Sequence, residues 1–233
     1  MSQTSLKTLL ALAITLSAQS LFANAKSIEV PAPAMMEQQS ADQATEKTVL
    51  AGGCFWGVQA VFQHVKGVKN VVSGYAGGKA DTAQYETVSS GTTGHAESVE
   101  ITFDPKVINY GTILQIYFAV AHNPTELNFQ GPDSGTQYRS AIFPESDAQK
   151  LVAKAYIDQL GKSGSFAGPI VTSIEEVKTF YPAEAYHQDY ATLHPDDGYI
   201  MYNDLPKVEN LSHEFPALYS PKPQLVNGNA NAG

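Results

Sequence analysis

The chain has 233 residues, 43% of them hydrophobic and 16% charged, a composition that supports one folded domain with a full core. The formal net charge of −9 argues against binding nucleic acid through a basic surface. The one cysteine, Cys54, excludes an internal disulfide framework, a CxxC pair and any multi-cysteine zinc site.

The first 25 residues read as an export signal. Lys7 opens it, Thr8 to Ala18 is apolar, and Phe22-Ala23-Asn24-Ala25 ends in a small-x-small cleavage pattern. The alternative is a buried N-terminal helix. No apolar run reaches the length of a membrane span, so the expectation after cleavage is a chain free of the membrane, exported to a bacterial periplasm; a monomer is expected as well. Residues 26–47 carry Pro31, Pro33 and a Gln/Ser/Ala run and read as a flexible spacer. Residues 48–219 form the expected domain, and 220–233 read as a disordered tail.

Within the domain, strand and helix signals alternate. A short buried strand is predicted over Thr48–Ala51. A helix over Trp56–Val65 is aligned by Phe55, Val58, Phe62 and Val65, and an extended stretch covers Val68–Tyr75. Ser98–Phe103 alternates, with Val99, Ile101 and Phe103 on one face. Asn109 can cap a helix through Val120, and Gln137–Phe143 reads as a strand. Ser146 with Gln149 reads as a capping box for a helix turning Ala148, Leu151, Val152 and Ala155 inward. A last strand is predicted over Ile170–Ile174. The order implies an α+β sheet with helices packed on it.

Cys54 follows a strand and Gly52-Gly53 and opens a helix. Free amides and the helix dipole there favour a thiolate nucleophile; the alternative is a small buried hydrophobe. Phe55 and Trp56 can wall an apolar pocket or simply pack in the core. Glu97 shares strand parity with Val99, Ile101 and Phe103. If the strand reaches it, the carboxyl is buried and kept protonated, able to donate to a substrate oxygen; if not, it is solvated. His95-Ala96-Glu97 lacks the second half of a zinc-deaminase motif, and Gly74–Lys79 lacks P-loop spacing. The histidines are not told apart by spacing.

Gly53-Cys54-Phe55-Trp56-Gly57 resembles the signature of the A-type peptide methionine sulfoxide reductases. The likeness continues through Gly74-Tyr75-Ala76-Gly77-Gly78, Tyr85-Glu86, Thr93-Gly94-His95-Ala96-Glu97, His122-Asn123-Pro124-Thr125, Gly131-Pro132-Asp133, Gly135-Thr136-Gln137-Tyr138 and Tyr186-His187-Gln188-Asp189-Tyr190. The resemblance implies a two-layer α/β sandwich with a ferredoxin-like core that reduces methionine (S)-S-oxide, in proteins, peptides or free. It implies Cys54 as nucleophile, Glu97 as acid, Tyr85 and Tyr138 as phenols on the sulfoxide oxygen, Asp133 as a further site carboxylate, and Phe55 and Trp56 as walls for the methyl group. It implies no metal and no organic cofactor. Relatives with further cysteines near the C-terminus resolve the sulfenic acid internally; this tail has none, so the resemblance implies an external reductant, a small thiol or a thioredoxin-like protein. Asn123 and Phe129 stand where the pattern has an aspartate and a basic residue. A single-cysteine peroxidase and a non-enzymatic binding module are the other classes these residues allow.

Overall fold

The computed structural model describes residues 28–37, 44–176 and 179–226. The expected signal segment and the last seven residues lie outside them. In chain order the elements are β1 (Glu46–Gly52), α1 (Phe55–Gln63), β2 (Val68–Ala76), α2 (Tyr85–Val88), β3 (Ala96–Phe103), α3 (Tyr110–Ile116), β4 (Phe129–Gln130), β5 (Asp133–Ser134), β6 (Ser140–Phe143), α4 (Asp147–Ser163), β7 (Ser173–Ile174), β8 (Phe180–Pro182), α5 (Tyr190–Leu193) and α6 (Leu205–Glu214).

The six-stranded sheet runs β7-β6-β1-β3-β2-β8. Its inner four strands are antiparallel and follow the β-α-β-β-α-β order of a ferredoxin-like unit, with α1 crossing from β1 to β2 and α3 lying between β3 and β6. β7 adds parallel to β6, which makes the sheet mixed, and β8 adds antiparallel to β2. The expected single α+β domain is what the structure contains. β3 buries Val99, Ile101 and Phe103 at 0% exposure, beneath α1 and α3.

Several local expectations shift. The strand predicted over Gln137–Phe143 begins only at Ser140, because Thr136–Tyr138 is a 3-10 turn; of Ile170–Ile174 only Ser173 and Ile174 pair. The Ser146 hydroxyl caps α4 by accepting from the Gln149 amide at 3.0 Å, but the Gln149 side chain accepts from Glu145 N, so the box is not reciprocal. α4 turns Gln149, Val152, Ala153, Tyr156 and Leu160 inward. Leu151 is 63% exposed and Ala148 is exposed too. The competing stripe wins because it carries Tyr156, whose large ring fills the space beside Phe118 and whose hydroxyl donates to Pro31 O at 2.8 Å.

That bond belongs to a strap. Residues 28–37, expected as part of a flexible spacer, run extended across α3 and α4. Val30 is buried, Gln115 donates to Val30 O, and Gln159 donates to Ala32 O while accepting from Ala34 N. Likewise 220–226 is held at Ser220 N to His64 O and Gln224 N to Gln63 O. Both segments lack an apolar period, yet backbone groups with side-chain and main-chain partners hold them.

The site-facing end of the sheet is tied by Tyr117. After α3 the chain continues as a π-helical turn, Tyr117–Ala121, and a second, Ile200–Asp204, precedes α6. The Tyr117 hydroxyl is fully buried, donates to Ala51 O at 2.7 Å and meets Ser140 Oγ at 3.0 Å, joining β1 to β6 just before Cys54. Tyr117→Phe leaves these groups short of a partner and is expected to cost about 1–3 kcal/mol in urea-unfolding experiments, with the fold retained.

Candidate active site

Gly53 has φ +88°, and a Cβ there would stand 2.6 Å from Gln130 Cβ, so only glycine makes this turn against β4. The turn delivers Cys54 to the N-cap of α1 with φ −53° and ψ 124°, leaving the first amides of the helix without intrahelical partners. One of them is answered by a side chain from the sheet. Phe55 N–H donates to Glu97 Oε2 at 3.1 Å.

Glu97 lies inside β3, opposite Tyr75 on β2, and is 2% exposed. The strand therefore reaches the carboxyl, which answers the question its parity left open. Burial pushes its pKa up to about 8, against the Phe55 amide, which favours the anion; Asp133 and Asp204 add to the rise. Glu97 is thus mostly protonated at neutral pH.

Cys54 is buried with its side chain in the same neighbourhood. The expected thiolate is not its resting form. Burial raises the thiol well above its usual range, and the carboxyls of Glu97 and Asp204 push the same way; the Trp56 amide and Lys207 oppose them without prevailing. A helix N-terminus acts over one turn, whereas desolvation acts on the whole ion.

The other expected residues converge here. Phe55 is buried against Tyr75 and His187, with ring centroids 5.9 and 5.0 Å away. Trp56 is half-buried, stacks on Tyr190 at 3.9 Å, and donates from Nε1 to His187 Nδ1 at 3.2 Å. Tyr85 starts α2, with its ring 4.4 Å from His187. Burial, with Glu97 next, raises the phenols of Tyr85 and Tyr138, so both stay neutral donors. Asp133, on β5, accepts a short hydrogen bond from the Tyr199 hydroxyl, and burial raises its carboxyl.

Several neighbours escaped the sequence reading. His187 is 2% exposed, and burial lowers its pKa, so it is a neutral brace between Phe55, Trp56 and Tyr85. Glu184 accepts from Tyr85 N at 3.0 Å and from Tyr75 Oη at 2.8 Å. Burial raises its carboxyl, but these bonds outweigh it and hold Glu184 below the usual range. Tyr199, Asp204 and Lys207 arrive from the C-terminal segment; of these neighbours His187 lay in a block that the sequence had singled out, Tyr186–Tyr190, and Glu184 lies two residues before it.

A cavity of about 320 Å³ opens beside Cys54, lined among others by His122, Gln130, Asp133, Tyr199 and Lys207. Asn123, also at its wall, accepts from Thr125 N and Oγ1 and donates from Nδ2 to Glu126 Oε1 at 3.0 Å, a bond an aspartate could not make. Phe129 is exposed on β4. Among the described residues, no group of three or more His, Cys, Asp or Glu could hold a metal ion.

The chain matches the family model for peptide methionine sulfoxide reductase over residues 46–218. It is 65% identical over 193 residues to peptide methionine sulfoxide reductase MsrA 2 of Mesorhizobium japonicum, covering 83% of this chain and 99% of that one. It is 50% identical over 173 residues to the MsrA 2 of Synechocystis, covering 74% and 81%. Among solved structures, reduced Mxr1 of Saccharomyces cerevisiae superposes with a TM-score of 0.60 at 35% identity, over 69% of this chain and 91% of that one; methionine sulfoxide reductase A of Corynebacterium diphtheriae gives 0.55 at 30%, over 71% and 83%. With a family model that spans the whole sheet and relatives matched over nearly their full length, the chain belongs to the peptide methionine sulfoxide reductase family and is an oxidoreductase acting on a sulfur-containing substrate.

Proposed function

We propose that the protein reduces methionine (S)-S-oxide to methionine with Cys54 as nucleophile and Glu97 as acid. The observation that carries this reading is the placement of the Glu97 carboxyl, 2% exposed and hydrogen-bonded to the amide next to Cys54, where burial favours its protonated form.

Oxide is a poor leaving group from sulfur, so the oxygen must gain a proton as the sulfur is attacked. Glu97 holds that proton at neutral pH. The neutral phenols of Tyr85 and Tyr138 hold the oxygen without adding charge, and the walls of Phe55 and Trp56 receive the methyl group. Asp133, braced by Tyr199, orients the remainder of the substrate. Sγ attacks sulfur, the S–O bond breaks, the released oxygen with its proton from Glu97 bonds to Sγ as the Sγ–S bond breaks and frees the thioether, and the thiol proton replaces the one Glu97 gave up. The sum is Cys54–SH plus sulfoxide giving Cys54–SOH plus thioether. One external thiol then displaces water to form a mixed disulfide, and a second releases Cys54–SH and a disulfide. The absence of another cysteine supports the external route, met by a small thiol or a thioredoxin-like protein. The signal-like leader supports work on oxidised exported proteins in a periplasm.

Single-turnover mixing with each epimer, without added thiol, tests the chemistry. About one methionine per enzyme from the S epimer only, with one oxygen gained at Cys54, is expected; no methionine with an unchanged thiol refutes it. Glu97→Gln should slow that turnover by about 100-fold or more, and the wild-type rate should fall as pH rises through about 8. Stability moves in the same window. Native Glu97 keeps a proton that the unfolded chain loses near 4.5, so this group lowers stability increasingly from there to about 8. Glu97→Gln is expected to flatten that decline in melts taken across the range. A fusion of residues 1–47 to a reporter active only outside the cytoplasm should be active; a silent reporter sinks the export half of the reading.

A further inference from the structure

Beneath the first turn of α1, the C-terminal segment places an acid and a base. Asp204 ends the second π-helical turn and is 0% exposed. Its Oδ1 accepts from Lys207 Nζ at 3.2 Å, one turn along α6, while Oδ2 has no hydrogen-bond partner. The pair sits at Gly57: a Cβ there would overlap the Asp204 carboxylate and lie 2.7 Å from Lys207 Nζ. Gly57 is three residues from Cys54, so the missing side chain is what admits both charges to the foot of the nucleophile's helix. Lys207 is also partly exposed, at 16%, and lines the cavity that Cys54 lines.

An ion pair this buried is a poor source of stability, because desolvation of both ions offsets their attraction. Its placement gives it another use. We propose that Asp204 and Lys207 act as a pair of positioning residues for the Cys54 thiol, Lys207 favouring the thiolate and Asp204 opposing it while anchoring Lys207 at the cavity wall. Without Asp204 the long lysine stem has nothing to hold it from solvent, and without Lys207 the aspartate is a buried charge with no counter-ion.

The other groups facing Cys54 are accounted for. Glu97 comes from β3 and Asp133 from β5, and both carboxyls are raised by burial. The phenols of Tyr85, Tyr138 and Tyr199 are raised by burial and remain neutral. His122, on the cavity wall, is lowered by burial to about 3 and is uncharged. Lys207 is therefore the cation of this neighbourhood among the described residues, and the thiol's electrostatics depend on where it is held.

The inference rests on Cys54 being the reacting group, and its test does not use that reaction. Iodoacetamide labels the single cysteine, and the midpoint of its rate against pH reads the thiol directly. Lys207→Met should raise the midpoint by about one pH unit, Lys207→Arg should restore it, and Asp204→Asn, which removes the charge but keeps an oxygen to accept from Lys207 Nζ, should lower it by a similar amount. A purely structural pair would lower the melting temperature of the variants and leave the midpoints together. Unshifted midpoints, or Asp204→Asn shifting upward with Lys207→Met, overturn the proposal. If Asp204→Asn does not fold, the two Lys207 variants decide it. Normal midpoint shifts without methionine formation would instead refute the sulfoxide chemistry and leave this pair standing.

Discussion

The contact between the Glu97 carboxyl and the Phe55 amide joins the two halves of the molecule that matter most. It connects the start of β3 to the first turn of α1 and leaves the Glu97 carboxyl and the Cys54 thiol buried in one neighbourhood. A carboxyl in such a place would ordinarily be expensive, since its charge is unsolvated. Here the cost is avoided by keeping the proton. The Phe55 amide offers some support to the anion, enough to locate the group without ionising it at neutral pH.

The same desolvation governs Cys54, with the opposite consequence. A protonated acid is ready for use, whereas a protonated thiol must first be activated. The helix N-terminus supplies one favourable amide, from Trp56, and the nearby carboxyls oppose it. In the proposed reaction activation belongs to the loaded site, where the sulfoxide oxygen takes the proton of Glu97 and the carboxylate left behind accepts the proton of the thiol. A resting thiol of this kind also gives up less thiolate to stray oxidants, which suits a chain with no second cysteine to rescue the first.

Around this pair, aromatic rings do the positioning. His187, held neutral by burial, touches Phe55, Trp56 and Tyr85 together, and Glu184 grips the start of α2 and the Tyr75 phenol. The brace comes from the segment after β8, far along the chain from Cys54, so each of these rings is set by contacts remote in sequence. The cavity wall is likewise assembled from two π-helical turns, whose irregular backbone presents Ala119, Val120 and Asn203 to one space.

Local chemistry determined much of this. The alternation of β3 set the face that Glu97 shares once the strand reaches it, because a strand buried on one face has only two choices for each side chain; the strand's start was left to the structure. Glycines before a residue that opens a helix marked the turn at Cys54, because few other residues accept its backbone. Tertiary structure decided the rest. The stripe read on α4 ran through Ala148, Leu151, Val152 and Ala155, and the space that accepts Tyr156 turned a different face of the helix inward. Residues 28–37 had no period to read, since their order comes from single hydrogen bonds to α3 and α4. The charge state of Cys54 and the role of Lys207 depend on burial and on groups up to 153 residues away along the chain, quantities that no window of sequence contains.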